Sequence, residues 1–274
     1  MTDSFPQFGR IENAAYQAVR IIAVVRSIRQ GCGQVRRVPF DPEECAEKFG
    51  VRVRLVNLPN QIAGRLLRYP SGYEIEVCAA DPRHRQRFTL SHELAHLCFL
   101  SHAPALPQER GIVSKVQKID GREERLCNRI ATELLMPQSR FLSESRQLNP
   151  SFESIEALSH IFDVSLAAVL ARVKELAAWS VGETNWKLDI DTGVLTKTAK
   201  PRFWCRIRKK TSRSDRERLL VARLREAEML LGKTGSAQLL NRIYSGGYVV
   251  VPVSDGEVTV KKQVDGSLQA FVLA

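Results

Sequence analysis

Apolar side chains recur at positions 11, 14, 15, 18, 19, 22 and 25, a helical spacing that predicts a first helix over Ile11 to Ile28. Gly31 and Gly33 interrupt it, and a second helix is predicted from the Asp41-Pro42 pair, a cap and a first-turn proline, to Gly50. Val51, Val53 and Leu55 then alternate with Arg52 and Arg54, the period of a half-exposed strand. Two more strands, Ala63 to Tyr69 and Tyr73 to Cys78, flank the turn-forming Pro70-Ser71-Gly72. A third helix is expected from an Asp81 cap and Pro82 toward Leu100, with Phe88, His92, Ala95, His96 and Phe99 on one stripe. Pro104, Pro107 and Gly111 mark a loop, and a fourth helix spans Gly121 to Met136 before Pro137 stops it.

The second half of the chain changes character. Residues 153–176 predict helix, short turn, helix, with Ser165 as the cap of the second, an arrangement like a helix-turn-helix. Trp186, Leu188 and Ile190 alternate before Asp191-Thr192-Gly193, a hairpin turn into Val194 to Thr198. Asp255-Gly256 and Asp265-Gly266 punctuate two closing hairpins. The Gly232-Lys233-Thr234 triplet lacks both the earlier glycine and the preceding strand of a phosphate loop, so no nucleotide site is read from it.

Composition adds compartment and partners to this picture. The 44% hydrophobic and 26% charged content of the 274 residues is that of a soluble globular chain. Six scattered cysteines without a CxxC pair, and an N-terminus without the basic-then-apolar order of a signal peptide, point to a reduced, cytoplasmic protein. The apolar stretch before Ile28 is broken by Arg20 and Arg26, so no membrane segment is expected. A net charge of +11 favours an acidic partner, and the basic segment Lys200 to Leu220, with Phe203 and Trp204 interleaved, suits weak non-specific contact with nucleic acid. Base reading is not expected, because the second helix of the pair begins Leu166-Ala167-Ala168 and carries no basic residue before Arg172.

Chemistry concentrates on the third and fourth helices. His92 and His96 of His92-Glu93-Leu94-Ala95-His96 fall one turn apart on one face, where two imidazole nitrogens can converge on one tetrahedral Zn²⁺. Glu93 beside them is placed as a general base. On the fourth helix, Glu124 shares a face with Cys127, Asn128 and Ala131, and a carboxylate there is a candidate third ligand. Glu123 has an apolar stripe of its own through Leu126, Ile130 and Leu134, so periodicity alone leaves both acids open. The small and polar residues beside Glu124 favour it, with Asn128 one turn on as a hydrogen-bond partner for a ligating group, whereas the bulky stripe of Glu123 suits a core away from charge.

The two segments RQRFTLSHELAHL and EERLCNRIATELLMP together resemble the ImmA/IrrE family of zinc metallopeptidases, with its RxxxxHExxH helix and its ExxAN-to-LLMP helix. The resemblance covers roughly residues 10–145 and continues more weakly to about 176. It implies zinc held by His92, His96 and Glu124 with Glu93 as catalytic base, and it marks Asn128 as the Asn of ExxAN. Cys127 stands where the family usually has Ala, and Cys78-Ala79-Ala80 where it often has Asn.

The expected fold is therefore α+β: a zincin-like metallopeptidase domain over 1–145, a helix-turn-helix-like pair over 146–178, and a small α/β or α+β C-terminal domain of unknown role over 179–274. The resemblance implies a zinc endopeptidase that cuts a helix-turn-helix repressor at one site, releasing genes of a stress response or a mobile element. The alternative from a different class is a DNA- or protein-binding transcriptional regulator whose metal site is structural. Tyr69, Tyr73 and Arg87 are near the site in chain order, and none is singled out as a transition-state donor.

Overall fold

The computed structural model describes residues 5–6, 14–59, 62–69, 72–102, 121–188, 195–198, 201–204, 213–233, 248–254, 256–262 and 268–273. The loop with Pro104, Pro107 and Gly111, the turn residues Pro70, Ser71 and 191–193, and residues 205–212 of the basic segment lie outside them. Contacts divide the chain into two compact units, residues 1–141 with 159–165, and residues 142–158 with 166–274. The expected segment 146–178 is thus shared between the units.

In the first unit, helix α1 covers Ala14–Gly31 and α2 covers Pro42–Lys48. The Asp41 carboxylate accepts hydrogen bonds from the Glu43 and Glu44 amides at 3.1 Å, so the Asp-Pro start acts as read from sequence. Gly50 follows α2 with φ +70°, a left-handed conformation that lets the chain turn at once into a strand. Strands β1 (Val51–Val56), β2 (Gly64–Tyr69) and β3 (Gly72–Cys78) form a sheet in the order β1-β3-β2. β3 runs parallel to β1 and antiparallel to β2, pairing Val51 with Tyr73 and Gly64 with Val77.

Alternation on β3 separates the faces. Ile75 and Val77 are buried apolar positions, while Glu74 and Glu76 face Arg52, Arg54 and Arg65 of the neighbouring strands. Helix α3 (Arg83–His96) follows and tightens into a 3₁₀ turn over Leu97–His102, and α4 covers Gly121–Leu135. The cap of α3 is Pro82, one residue later than expected, and Asp81 instead pairs with Arg85 at 3.1 Å, one turn into the helix. Ile28, Phe40, Ile75, Leu94, Leu97, Ile130, Leu134, Phe141 and Phe162 are fully buried in this unit.

The division falls inside α5 (Gln138–Ser145) and α6 (Phe152–Phe162), which precede α7 (Leu166–Glu175). α6 and α7 cross at 103°, within the range of about 90–120° for helix-turn-helix pairs. In the second unit, β4 (Val181–Leu188), β5 (Leu195–Lys197), β6 (Arg202–Trp204), β7 (Tyr248–Val253), β8 (Gly256–Lys262) and β9 (Leu268–Leu273) build a second sheet. Its order is β5-β4-β9-β8-β7, with β6 also on β4. Every pairing among the described residues is antiparallel, as in an α+β rather than an α/β domain. Helix α8 (Arg213–Lys233) buries Leu220, Leu224, Ala227 and Leu231 against Val249, Val251, Val258, Val260 and Val272. Among the described residues no single helix is long and apolar enough to cross a membrane.

Candidate metal and proteolytic site

α3 and α4 pack face to face and bring together residues separated by about thirty positions in sequence. His92 Nε2 lies 3.1 Å from His96 Nε2. Glu124 adds a carboxylate, Oε2 at 3.2 Å from His92 Nε2 and Oε1 at 3.7 Å from His96 Nε2. A tetrahedral ion with bonds of about 2.0–2.1 Å spaces its ligand atoms by roughly 3.3–3.4 Å, so these three separations bracket what zinc requires. The residues present fit the ion.

The other ring nitrogens face oxygen atoms. His92 Nδ1 is 3.0 Å from Asn128 Oδ1 and His96 Nδ1 is 3.3 Å from Glu123 Oε1. A neutral imidazole that carries its proton on Nδ1 leaves the Nε2 lone pair for a metal, and an oxygen beside each Nδ1 favours that tautomer. Glu123 corrects the sequence expectation. Its bulky stripe suits a core away from charge, yet its carboxylate meets His96, because the first turn of α4 is close enough to α3 for both adjacent acids to reach. Cys127, whose Sγ is 3.2 Å from His96 Nδ1, completes a second group with His96 and Glu123.

Burial sets the electrostatics. It pushes the Glu93 carboxyl up to about 7, with Glu124 adding to the rise while His96 and the Leu66 backbone amide oppose it. Burial and the neighbouring His96 hold His92 below its ordinary value. Burial also opposes protonation of His96, but hydrogen bonding to Glu123 and the charges of Glu93 and Glu124 hold it above the ordinary value. Burial pushes the Cys127 thiol up, so it stays protonated and neutral.

Sequence reasoning missed the contribution of β2. The Leu66 backbone lies close enough to the Glu93 carboxyl to oppose the rise of its pKa. A Cβ on Gly64 would overlap Thr89 Cγ2 and lie 3.1 Å from Glu76 O and 3.5 Å from Glu93 Cγ, so the strand approaches the helix as closely as a backbone without a side chain permits. An isolated glycine opening a strand pattern was the available signal. Arg87 takes no part in the cluster. Its guanidinium donates to Phe40 O at 2.6 Å and Asp163 O at 3.0 Å, which ties α3 to the 159–165 turn. Tyr69 lies beside Arg52, 5.5 Å from ring centroid to guanidinium carbon, and Tyr73 occupies the far end of β3 from Cys78.

Comparison with known proteins gives three findings. No curated protein matches the chain. A Mycobacterium tuberculosis transcriptional regulator of solved structure is similar at 14% identity and a TM-score of 0.46, over 92% of this chain and 76% of that one, a likeness that establishes no function. The Peptidase_M78 family model, described as an IrrE N-terminal-like domain, matches residues 46–174, a span that holds α3, α4 and all the residues of the cluster. Residues 46–174 therefore form a domain of the ImmA/IrrE family of metal-dependent peptidases.

Proposed function

We propose that the chain is a zinc-dependent endopeptidase, with His92, His96 and Glu124 as the ligands and Glu93 as the catalytic base. The observation that carries this reading is the convergence of two Nε2 atoms 3.1 Å apart with the Glu124 carboxylate, beside the buried Glu93. Bound there, zinc would supply a Lewis acid for the scissile carbonyl and acidify a water molecule. Glu93, whose carboxyl is held near neutrality, takes up a proton from the attacking water and returns it to the leaving amine. Asn128 keeps the His92 ring oriented through Nδ1.

The edge of the first sheet supports a peptide as the substrate. Among the described residues β2 pairs with β3 on one side only, and Cys78 N donates to Ala63 O, so the backbones of Arg65, Leu67 and Tyr69 face β3 while those of Gly64, Leu66 and Arg68 face outward. An extended peptide segment laid along this edge would pass Glu93. The family resemblance supplies the protein that bears the segment, a helix-turn-helix repressor cut at a single site.

The test is incubation of the zinc-loaded chain with candidate helix-turn-helix repressors from the same cell, read by intact mass. One cut is expected in the wild type. Glu93→Gln is expected to retain zinc and to lose cleavage by about two orders of magnitude or more. Undiminished cleavage by that variant would remove Glu93 from the mechanism.

A further inference from the structure

We propose that Glu123 is a positioning residue for the metal site: its carboxylate accepts the Nδ1 proton of His96 and so fixes the tautomer in which Nε2 is presented to the ion. The inference rests on the metal reading above and adds a second acid to it.

The two adjacent acids of α4 divide the two nitrogens of one ring between them. Glu124 lies on the Nε2 side, 3.7 Å from His96, and Glu123 on the Nδ1 side, 3.3 Å away. A neutral imidazole donates from one nitrogen and accepts at the other, so an acceptor at Nδ1 selects the ligating form. His92 has the corresponding partner in Asn128, at 3.0 Å. The partner of His96 differs in being charged, and a carboxylate acceptor makes the stronger bond and the more basic ligand. His96 has the greater need of it, because its side chain is 4% exposed against 14% for His92, and water is a poor substitute at a buried nitrogen.

Cys127 is the competing partner at 3.2 Å from Nδ1. A protonated thiol is a weak acceptor, so it leaves the Nδ1 proton to Glu123. The same three residues, His96, Glu123 and Cys127, have ligand atoms within 4.8 Å of one another and form a second set of potential donors. That set needs the Nδ1 lone pair, whereas the first set needs the lone pair of Nε2. A neutral ring serves one or the other, and only the first set has two histidines.

The experiment measures zinc affinity of the full chain by competition with a chromophoric chelator for wild type, Glu123→Ala and Glu123→Gln. Unfolding midpoints of the metal-free proteins and long-range ¹H–¹⁵N spectra of the histidine rings in the zinc-loaded proteins accompany it. Glu123→Ala is expected to weaken zinc by about 10- to 100-fold at an unchanged midpoint and to lose the protected His96 Nδ1 proton. Glu123→Gln, which keeps a carbonyl acceptor, is expected to recover most of the affinity and the proton signal. Wild-type affinity within twofold in Glu123→Ala would overturn the proposal and leave the metal reading standing. A loss in both variants together with lowered midpoints would make Glu123 a structural residue and also overturn it. Two equivalents of Co²⁺ with a thiolate charge-transfer band that Cys127→Ala abolishes would replace it with a second metal site. Failure of the wild type to bind zinc would remove the underlying reading as well.

Discussion

Gly64 carries a function that no side chain reveals. Its Cα–H surface lets β2 lie against Thr89 and Glu93, and a methyl group there, 2.4 Å from Thr89 Cγ2, must displace Thr89. Gly64→Ala is expected to cost about 1–3 kcal/mol of stability, the range for overpacking a filled site. Because the displaced Thr89 lies one turn before the candidate base on α3, cleavage should fall further than stability accounts for, while zinc stoichiometry stays at that of the wild type. Urea unfolding, metal analysis and the cleavage assay together separate these effects. The ligand assignment has its own test at the same scale. His92→Ala, His96→Ala and Glu124→Ala are each expected to lose zinc in metal titrations while retaining the wild-type circular dichroism, since the core of the first unit is built on Phe40, Ile75, Leu94, Ile130 and Leu134 and not on the cluster.

At the scale of elements, α3 is anchored at its first turns by a residue eighty positions away. Asp163, at φ +51°, sits in the left-handed region beyond the end of α6, and its carboxylate is 3.2 Å from Arg83 and Arg87 and 3.3 Å from His84. Burial works against the charge, but the Arg87 guanidinium, with Arg83 and His84, holds the Asp163 carboxyl below its ordinary value. A group whose pKa is lowered on folding stabilises the fold above its unfolded pKa, about 3.9 for Asp, and loses that contribution as pH falls through the lower folded value. Asp163→Asn retains a residue tolerant of the left-handed backbone while removing the charge. It is expected to lower the urea midpoint at pH 7 and to flatten its decline below about pH 4, with a modest effect because the carboxylate is partly solvated. An unchanged midpoint at pH 7 would mean that the neutral hydrogen bonds of Arg87 to Asp163 O and Phe40 O do the anchoring alone.

For the whole molecule, the question is what the net charge of +11 serves. The crossing of α6 and α7 suits a helix-turn-helix, but the groups that would read DNA are absent or engaged. The exposed positions on α7 are Ala167, Ala171 and Glu175, with Ser165 just before it. Arg172 is 4% exposed and pairs with Glu175 at 2.8 Å, and Lys174 pairs with Glu183. Binding to a random DNA duplex is therefore expected to be weak and to fall steeply between 50 and 200 mM salt, by about a factor of ten or more, because phosphate neutralisation alone would carry it. Footprinting at physiological salt should show no protected sequence. A defined footprint would favour the regulator reading over the peptidase.

Much of this was legible in the chain because it is local. Asp41-Pro42 and Gly50 delimit α2, alternating Arg and apolar residues mark β1, and the spacing of His92 and His96 puts both rings on one face of α3 through helix geometry alone. The Glu124 side of α4 was favoured by its small and polar neighbours, again from helix periodicity. What periodicity could not give is the distance between two helices. That distance decides that Glu123 reaches His96 as well as Glu124 reaching His92, that Gly64 and the Leu66 backbone close over Glu93, and that Arg87 is spent on Phe40 and Asp163. Each of these contacts joins residues from separate elements, so each depends on how the elements pack. A sequence specifies the faces, and the close-packed core between them sets which atoms on those faces meet.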